Sequence, residues 1–467
     1  MYLEQIYTGC LSEAAYFVAS EGEAIIIDPL RDTDHYIKLA SEHNAVIKYI
    51  FETHFHADFV SGHLDLAKKT GATIVYGPNT ETKFSFHLAK DGEIFKVGDI
   101  SLQAIHTPGH TIESTCYLLR DENDISYCLF TGDTLFVGDV GRPDLSSGDM
   151  SSAELASVMY DTIQNKILPL PDDLIVYPAH GAGSSCGKNI SNETSSTIGI
   201  QKQTNYALKT QTREEFIKAV TTGLNEAPPY FAINAKINKE GYYSLEEIKH
   251  KALTPLSVKE FKDKLDKDVI ILDTRKADKF KEGFIPGSVF IGLEGRFAEW
   301  AGSLLPFHHR IILLTEPGME EETIVRLARV GFDNVQGYLK GGFESWLAAG
   351  DEVDLIVDVD ADELAMDIPF DENLKIVDVR KPNEFAEGHV KDALNINLAD
   401  MTDLAQIAQF EENENLYIHC AGGYRSLIAC SLLKRQGYHN LRNVNGGWAK
   451  IKEQENIKTE KEARVLN

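Results

Sequence analysis

Short apolar runs alternate with longer polar stretches along this chain. In the first half, four of these runs stop at a loop that combines Gly or Pro with His or Asp, namely 46–51, 100–105, 127–130 and 174–176. Apolar runs of this length, bounded by turn residues, are typical of buried strands. The pattern therefore predicts four strands that each deliver a polar side chain into a loop. Predicted helices cover 35–44, 61–70, 151–168, 211–223 and 244–251.

The second half of the chain contains an internal repeat. The segment 269–276 matches 374–381, so that Asp273 corresponds to Asp378, 105 residues later. The match extends to two glycine pairs, Gly341-Gly342 and Gly446-Gly447. A period this long is too large for a solenoid unit. It predicts a duplicated domain of strands alternating with helices, as in parallel α/β sheets.

Length and composition limit the class of protein. A chain of 467 residues is long enough for about three domains of ~150 residues each, and we place them at 1–251, 252–353 and 354–467. The formal net charge of −26 argues against binding to nucleic acid or to anionic membranes. The six cysteines are not closely paired, and the first residues lack the basic and apolar regions of a secretory signal. We therefore expect a cytoplasmic protein, and we also expect a homo-oligomer.

The four predicted strand ends carry potential metal ligands. The first loop, Thr53-His-Phe-His-Ala-Asp-Phe59, offers one at every second position, and the other loops carry His110, Asp133 and His180. Imidazole and carboxylate together suit zinc, iron or manganese. A polar loop with two ordinary histidines is the alternative interpretation of the first motif. The repetition of the pattern at four strand ends argues against it.

These motifs resemble the metallo-β-lactamase superfamily, over about the first half of the chain. The resemblance implies an αββα sandwich with a metal at one edge. The family's motif ends in His at the position where this chain has Phe59. A phenyl ring cannot bind a metal ion, so we expect one metal rather than two.

Three further residues lie close to these loops in sequence. Arg142 and Asp144 follow the Asp133 loop. They could form an ion pair that holds the loop, or Arg142 could attract an anionic substrate. Cys186 lies in a Gly/Ser-rich loop after His180. It is either an idle loop thiol or a group that contacts, or transiently carries, the sulfur of a substrate.

The second copy of the repeat contains a cysteine in a glycine-rich loop. An apolar run, 416–418, leads to Cys420, and the loop continues through Ala421, Gly422, Gly423, Tyr424, Arg425 and Ser426. Backbone N–H groups in such a loop, with a helix N-terminus behind them, favour a thiolate or persulfide anion. Arg425 adds a fixed positive charge. This copy resembles rhodanese, a sulfurtransferase that carries sulfur as a cysteine persulfide.

The first copy has no cysteine at the matching place. Its loop reads Thr315-Glu-Pro-Gly-Met-Glu320, in which Pro317 removes an N–H group and the glutamates add negative charge. We predict an inactive rhodanese-like domain. The expected fold class of the chain is therefore α/β, a metallo-β-lactamase sandwich followed by two rhodanese-like domains with parallel sheets.

Together, the two resemblances point most closely to persulfide dioxygenase–sulfurtransferase fusions. That family implies one non-haem Fe(II) per chain, held by His54, His110 and Asp133, with His56 as a possible fourth ligand. The remaining polar residues near the metal would orient ligands or bound water; they are His56, Asp58, His180, Arg142 and Asp144. The implied reactions oxidise a low-molecular-weight persulfide with O₂ to sulfite and a thiol, and convert sulfite to thiosulfate through a Cys420 persulfide.

Two alternatives stay open at this stage. The first is a mononuclear zinc thiolester hydrolase resembling glyoxalase II, with a sulfurtransferase attached. The second is a protein that senses or relays persulfide sulfur without catalysis. A sensor would take up sulfur once per Cys420 and stop, whereas an enzyme would turn over.

Overall fold

The computed structural model describes residues 1–145, 150–210, 212–411 and 413–462. The chain forms two compact units. One contains Met1–Ile248 together with Val325–Asp333, and the other contains the rest of the described chain. Within the described residues, no helix combines the length and the apolar character required to cross a membrane.

Two six-stranded sheets form the frame of the first unit. The first sheet contains, in spatial order, β1 (Tyr2–Thr8), β2 (Glu13–Ser20), β3 (Glu23–Ile27), β4 (Val46–Phe51), β5 (Thr73–Tyr76) and β6 (His87–Leu88). The second contains β7 (Ile94–Val97), β8 (Ile100–His106), β9 (Thr115–Arg120), β10 (Ser126–Gly132), β11 (Ile175–Pro178) and β12 (Ser196–Thr197). The four strands predicted from the apolar runs are β4, β8, β10 and β11.

The helices of this part of the chain are α1 (Asp34–Glu42), α2 (His63–Thr70), α3 (Ser152–Thr162), α4 (Ile198–Thr204), α5 (Arg213–Thr221), α6 (Tyr230–Glu240) and α7 (Leu245–Ala252). The predicted helix 151–168 changes at Ile163 into a π-helix that ends at Ile167. The predicted helix 211–223 begins at Arg213, and Gln211 lies outside the described residues. The sequence analysis missed α4 and α6, and α6 buries Asn234 and Asn238 on the face that an apolar pattern would mark.

Four layers result from the packing of these elements. Phe51, Tyr117 and Phe130 are fully buried in the core that the two sheets share. A second apolar cluster covers the outer face of the first sheet beneath α1 and α2, and a third covers the outer face of the second sheet beneath α3, α4 and α5. This is the predicted αββα sandwich.

The second unit contains two parallel sheets with the same strand order. One has the order β13 (Pro255–Leu256), β17 (Val335–Leu339), β16 (Arg310–Leu314), β14 (Val269–Asp273) and β15 (Val289–Phe290). The other has the order β18 (Val357–Val359), β23 (Leu441–Val444), β22 (Asn415–His419), β19 (Leu374–Asp378) and β21 (Leu394–Asn395). A short pair, β20 (His389–Val390) and β24 (Thr459–Glu460), lies apart from them.

The strand register repeats as the sequence does. Val269 pairs with Arg310 in the first sheet, and Leu374 pairs with Asn415 in the second, each partner 105 residues later. The accompanying helices are α8 (Val258–Asp263), α9 (Ala277–Glu282), α10 (Phe297–Leu304), α11 (Glu320–Arg329), α12 (Gly342–Ala348), α13 (Ala361–Asp367), α14 (Pro382–Ala386), α15 (Leu404–Ile407), α16 (Tyr424–Arg435) and α17 (Gly447–Ile451). The predicted duplication of a parallel α/β domain is confirmed.

Candidate active sites

Three of the predicted ligands meet at one edge of the sandwich. The ligand atoms of His54, His110 and Asp133 all lie within 4.8 Å of one another, and all three residues are buried. Asp133 Oδ2 lies 3.7 Å from Nε2 of His54 and 3.4 Å from Nε2 of His110. Two imidazole nitrogens and a carboxylate oxygen that converge on one point are the donor set of a metal site.

Hydrogen bonds on the far side of each ring fix its orientation. The Thr53 hydroxyl donates to Asp28 Oδ2 at 2.8 Å, so it can only accept from Nδ1 of His54, 3.0 Å away. The backbone carbonyl of Arg142 accepts from Nδ1 of His110 at 2.8 Å. Both rings therefore carry their proton on Nδ1, which leaves Nε2 with a lone pair for a metal ion.

Two glycines allow the loops to approach the ligands. A Cβ atom at Gly141 would lie 2.2 Å from the carbonyl oxygen of Asp133 and 2.8 Å from Nδ1 of His110. A Cβ atom at Gly132, where φ is +52°, would lie 2.5 Å from the Thr53 hydroxyl. A larger residue at either position would push the ligand loops apart.

The charges in the site suit a bound cation. Burial lowers the pKa of His54 well below its ordinary value, with the neighbouring histidines acting in the same direction, so its ring is neutral and able to bind a metal. Both carboxylate oxygens of Asp133 are buried without a hydrogen-bond partner among the described residues. Because an unpaired buried carboxylate is costly, this observation supports a metal ion as the missing partner.

His56 lies beside His54, with ring centroids 4.3 Å apart, but its Nε2 faces a separate pair of carboxylates. Its Nε2 lies 3.0 Å from Asp28 Oδ1 and 3.5 Å from Glu52 Oε2, and its ring stacks on Phe59 at 4.3 Å. Burial disfavours the protonated ring, but Asp28 and the other carboxylates outweigh it and raise the pKa of His56 to about 10. A protonated imidazole has no lone pair to offer, so this geometry favours an orienting role over that of a fourth ligand.

A second set of donors lies beside the first. His56, Asp58 and His180 also bring ligand atoms within 4.8 Å of one another. His180 Nε2 lies 3.4 Å from Asp58 Oδ2 and 3.5 Å from Asp133 Oδ1. The position at which the family's motif has a further His is filled by the fully buried Phe59.

Cys186 lies at the same site. Its sulfur is within 4.8 Å of ligand atoms of both Asp133 and His180, and the residue is buried. Burial raises the pKa of Cys186 well above its ordinary value. A protonated thiol is a weak nucleophile, so contact with a substrate suits this residue better than transient sulfur carriage.

Arg142 and Asp144 form the ion pair that the sequence left open. Two guanidinium nitrogens of Arg142 each lie 2.7 Å from an oxygen of Asp144. The same guanidinium donates to the backbone carbonyl of Asn225 at 2.6 Å, and Arg142 is only 4% exposed. These bonds fix the loop whose carbonyl orients His110.

Sequence reasoning missed the acidic residues behind the ligands. Asp28 accepts hydrogen bonds from both the N–H and the hydroxyl of Thr53, and fully buried Glu52 lies near His56 and His63. Asp28 follows an apolar run and takes a φ of 50°, which is uncommon for a non-glycine residue. That angle cannot be read from the sequence.

The cysteine of the second copy lies in the predicted loop between β22 and α16. The N–H of Gly423 donates to Cys420 Sγ at 3.1 Å, and the Ser426 hydroxyl lies 3.7 Å from the same sulfur. Gly423 takes a φ of +103°, which a side chain would strain. The single proton of the Ser426 hydroxyl has a closer acceptor in Asn443 Oδ1, at 2.6 Å. The Gly423 N–H, at the N-terminus of α16, is therefore the donor that stabilises negative charge on the sulfur.

The glycine pair at the end of the repeat supports this loop from behind. Trp448 N–H donates to the Cys420 carbonyl at 2.6 Å, and Ala449 N–H donates to the Ala421 carbonyl at 3.0 Å. A Cβ atom at Gly447 would lie 2.3 Å from the Cys420 carbonyl oxygen. Gly447 is therefore required for this close contact with the backbone of the Cys420 loop.

Arg425 is already paired. Its guanidinium forms two bonds with the Glu384 carboxylate, at 2.7 and 2.8 Å. Arg380 is engaged as well, since it bonds Asp378 and the Gly388 carbonyl, as Arg275 bonds Asp273 and the Gly283 carbonyl in the first copy. The repeated Asp-x-Arg pair is therefore a structural clamp in both copies.

A cleft of about 1200 Å³ opens at Cys420. Residues of the second copy line one side, including Gly422, Tyr424 and Arg425. Residues of the first copy line the other, including Arg296 and Trp300.

Comparison with known proteins identifies both parts of the chain. The family model described as the metallo-beta-lactamase superfamily matches residues 8–180, and the rhodanese-like domain matches 257–349 and 360–454. A metallo-beta-lactamase structure from Staphylococcus aureus is 32% identical, covers 73% of this chain and 99% of its own, and gives a TM-score of 0.65.

Two curated relatives match the first part of the chain. A probable hydroxyacylglutathione hydrolase of Schizosaccharomyces pombe is 32% identical over 38% of this chain. The match covers 66% of that protein's length, slightly less than two thirds. A hydroxyacylglutathione hydrolase of Haemophilus influenzae is 28% identical over 36% of this chain and 84% of its own length.

Proposed function

Because the chain belongs to the metallo-beta-lactamase superfamily and carries two rhodanese-like domains, we propose that it is a bifunctional enzyme of persulfide sulfur. One site oxidises a low-molecular-weight persulfide with O₂ and water to sulfite and a thiol. The other transfers sulfane sulfur through Cys420 and makes thiosulfate. The net effect is removal of sulfide-derived persulfides in the cytoplasm, without nucleic acid or membrane partners.

The observation that carries the dioxygenase part is the set of two imidazoles and one carboxylate that meet at one edge of the sandwich. His54, His110 and Asp133 leave coordination positions open, as O₂-using iron sites of this ligand type do. A ferrous ion bound there would supply the redox chemistry by which O₂ oxidises the terminal sulfur of a persulfide. Phe59 supports a single metal, because it replaces the ligand that a second would use.

The protein's own groups orient the ligands and surround the place where substrate and water would bind. The Arg142 carbonyl and the Thr53 hydroxyl keep the two ring nitrogens directed inward. His180 and Asp58 lie beside Asp133, where they can hold the water that hydrolysis consumes. We assign Cys186 to contact with the substrate's sulfur, and an unchanged rate in Cys186→Ser would refute that assignment.

Sulfur transfer proceeds by two displacements at Cys420. The Cys420 thiolate attacks the outer sulfur of a persulfide, the new S–S bond forms, and the carrier thiolate leaves with the electron pair and takes up a proton. Sulfite near Arg425 then attacks the same outer sulfur, thiosulfate forms, and the Cys420 thiolate is restored. The reverse sequence makes a persulfide from thiosulfate with the same residues.

A zinc thiolester hydrolase is the second candidate for the first site. The names of both curated relatives favour it, since each is a hydroxyacylglutathione hydrolase. A single zinc ion held by His54, His110 and Asp133 would be sufficient for that reaction.

The two candidates differ in metal and in substrate. Protein purified without air should contain about one iron per chain, consume O₂ when glutathione persulfide is added, and leave S-lactoylglutathione intact. Stoichiometric zinc with rapid thiolester hydrolysis and no O₂ uptake would establish the hydrolase instead.

A further inference from the structure

The cleft at Cys420 is much larger than an inorganic sulfur ion requires. Its volume is about 1200 Å³, whereas clefts of roughly 300–1000 Å³ already enclose drug-sized ligands. Sulfite or thiosulfate would occupy only a small part of it. The remaining space suits the organic part of a persulfide, which must stay bound while its outer sulfur passes to Cys420.

The first copy, which has no cysteine, builds the wall opposite Cys420. Arg296 and Trp300 lie at the start of α10 and line the cleft, together with Lys276 after β14. Arg296 and Trp300 are half-buried, and a Glu299 carboxylate pairs with the Arg296 guanidinium. The ion pair therefore holds the Arg296 guanidinium at the wall of the cleft.

The cleft differs in charge from the chain that contains it. Six basic side chains and four acidic ones line it, in a chain whose formal net charge is −26. The basic residues are Arg275, Lys276, Lys279, Arg296, Lys381 and Arg425. Five of these six are paired with carboxylates, including Arg296 with Glu299 and Lys276 with Glu294. The cleft therefore offers an anionic ligand cationic side chains that it can share with those carboxylates, rather than a net positive charge.

Contacts between the two copies hold this wall in place. The Tyr424 hydroxyl donates to the Gly292 carbonyl at 3.1 Å, and the Ser431 hydroxyl accepts from the Phe290 N–H at 3.0 Å. The guanidinium of Arg435 donates to the carbonyls of Gly287 and Val269. The first copy is therefore fixed against the helix that follows the Cys420 loop.

We propose that the first rhodanese-like copy is the binding wall for the sulfur carrier, a low-molecular-weight thiol with several anionic groups. Arg296 and Lys276 bind those anionic groups, and Trp300 packs against the organic part. The outer sulfur of the carrier persulfide then faces the Cys420 thiolate, which displaces the carrier thiolate as described above. This inference rests on the proposed sulfur transfer and specifies its donor.

Two carriers share this chemistry. Glutathione offers carboxylates, and coenzyme A offers phosphates and a planar base that could stack on Trp300. Both persulfides should be tried, each with sulfite as the acceptor, beside thiosulfate as an inorganic donor with cyanide as the acceptor.

The test compares Arg296→Gln and Trp300→Ala with Arg310→Gln. Arg310 is a matched control, because it is an arginine of the same copy that pairs with a carboxylate, Asp266, outside the cleft. For the preferred organic persulfide, Arg296→Gln should raise KM about 10-fold, as expected for the loss of one charge-assisted bond, with kcat unchanged. The KM for thiosulfate should change less than ~2-fold, and Arg310→Gln should match the wild type.

Trp300→Ala should raise the KM for coenzyme A persulfide more than that for glutathione persulfide if the base stacks.

Other results would overturn the inference in distinct ways. Equal changes in KM for organic and inorganic donors, or no change for any donor, would remove the carrier-binding role of the first copy. If the wild type transferred no sulfur from any of the three donors, the proposed function itself would fail. Calorimetric titration with the free thiols gives a second readout. The affinity of the carrier thiol for the Cys420→Ala protein should fall when Arg296→Gln is added to it, and the affinity of thiosulfate should not.

Discussion

Asp133 is the residue on which the metal site depends most. Its carboxylate faces two imidazole nitrogens, and neither of its oxygens has a hydrogen-bond partner among the described residues. His54 and His110 are each fixed by a bond on the far side of the ring. The two rings are therefore oriented in advance, and the carboxylate supplies the negative charge of the site.

Replacing Asp133 by Asn should remove the metal. The variant loses the anionic ligand, so iron content should fall about 10-fold or more and O₂ uptake with persulfide should fall with it. Sulfur transfer from thiosulfate through Cys420 should stay at the wild-type rate. Asp172→Asn is the control, because Asp172 is an exposed aspartate of the same unit that pairs with Lys202 and not with any ligand of the site, and this variant should retain metal. Normal iron in Asp133→Asn would show that the ligands lie elsewhere.

The pair of Glu384 and Arg425 gives a pH-dependent prediction. The hydrogen bonds from Arg425 lower the pKa of Glu384 below its ordinary value of 4.5. A carboxyl whose pKa is lowered on folding stabilises the protein above the unfolded pKa, and this stabilisation disappears as the pH falls through the folded pKa. Glu384→Gln should therefore lower Tm by roughly 2–4 °C between pH 6 and pH 8, and by less as the pH falls below 4.5.

The control for this series is Glu387→Gln, an exposed glutamate of the same segment. Its Tm should follow the wild type at every pH in thermal unfolding followed by circular dichroism. If the Glu384→Gln difference stayed constant down to pH 3.5, the ion pair would not be its cause.

At the scale of elements, the persulfide loop is held by its neighbours. Gly447 and Trp448 support the backbone of Cys420 from behind, and the Tyr424 hydroxyl ties the loop to the Gly292 carbonyl in the first copy. The loop itself contains two adjacent glycines, so its own backbone is poorly restrained. We conclude that much of its rigidity comes from these contacts.

Removal of the Tyr424 hydroxyl should loosen the loop. Tyr424→Phe should lower kcat for sulfur transfer by roughly 3- to 10-fold, since one hydrogen bond contributes about 0.5–1.5 kcal/mol. Oxygen uptake at the metal site should not change. Tyr438→Phe is a close control, because that hydroxyl also donates to a backbone carbonyl, that of Ile407, away from the cleft. Equal losses in both variants would indicate general destabilisation.

The strands that carry the metal ligands and the internal repeat could be predicted from the sequence. The strands that deliver His54, His110 and Asp133 are short apolar runs with turn residues at their ends, and the repeat is visible as matching residues. The helix α6 could not be found, because it buries asparagines where an apolar face was expected. The ion pairs of Arg142 and Arg425 were also undetermined, because their partners are set by tertiary packing.

For the whole molecule, the sequence predicted the sandwich and the two rhodanese-like copies, but not that both copies line one cleft. The missing cysteine predicts that the first copy is inactive in sulfur transfer, yet nothing in its sequence reveals that it lines the cleft of the second. That fact depends on contacts between residues more than a hundred positions apart, such as Phe290 and Ser431.

We propose that one chain oxidises a persulfide at a metal site and transfers sulfur at Cys420, and that the two steps are separable. The most direct test measures O₂ uptake, sulfite and thiosulfate in the wild type and in Cys420→Ala, with glutathione persulfide as substrate. We expect Cys420→Ala to consume O₂ at the wild-type rate and to accumulate sulfite in place of thiosulfate. Loss of O₂ uptake in Cys420→Ala, or the absence of O₂ uptake in the iron-loaded wild type, would contradict it.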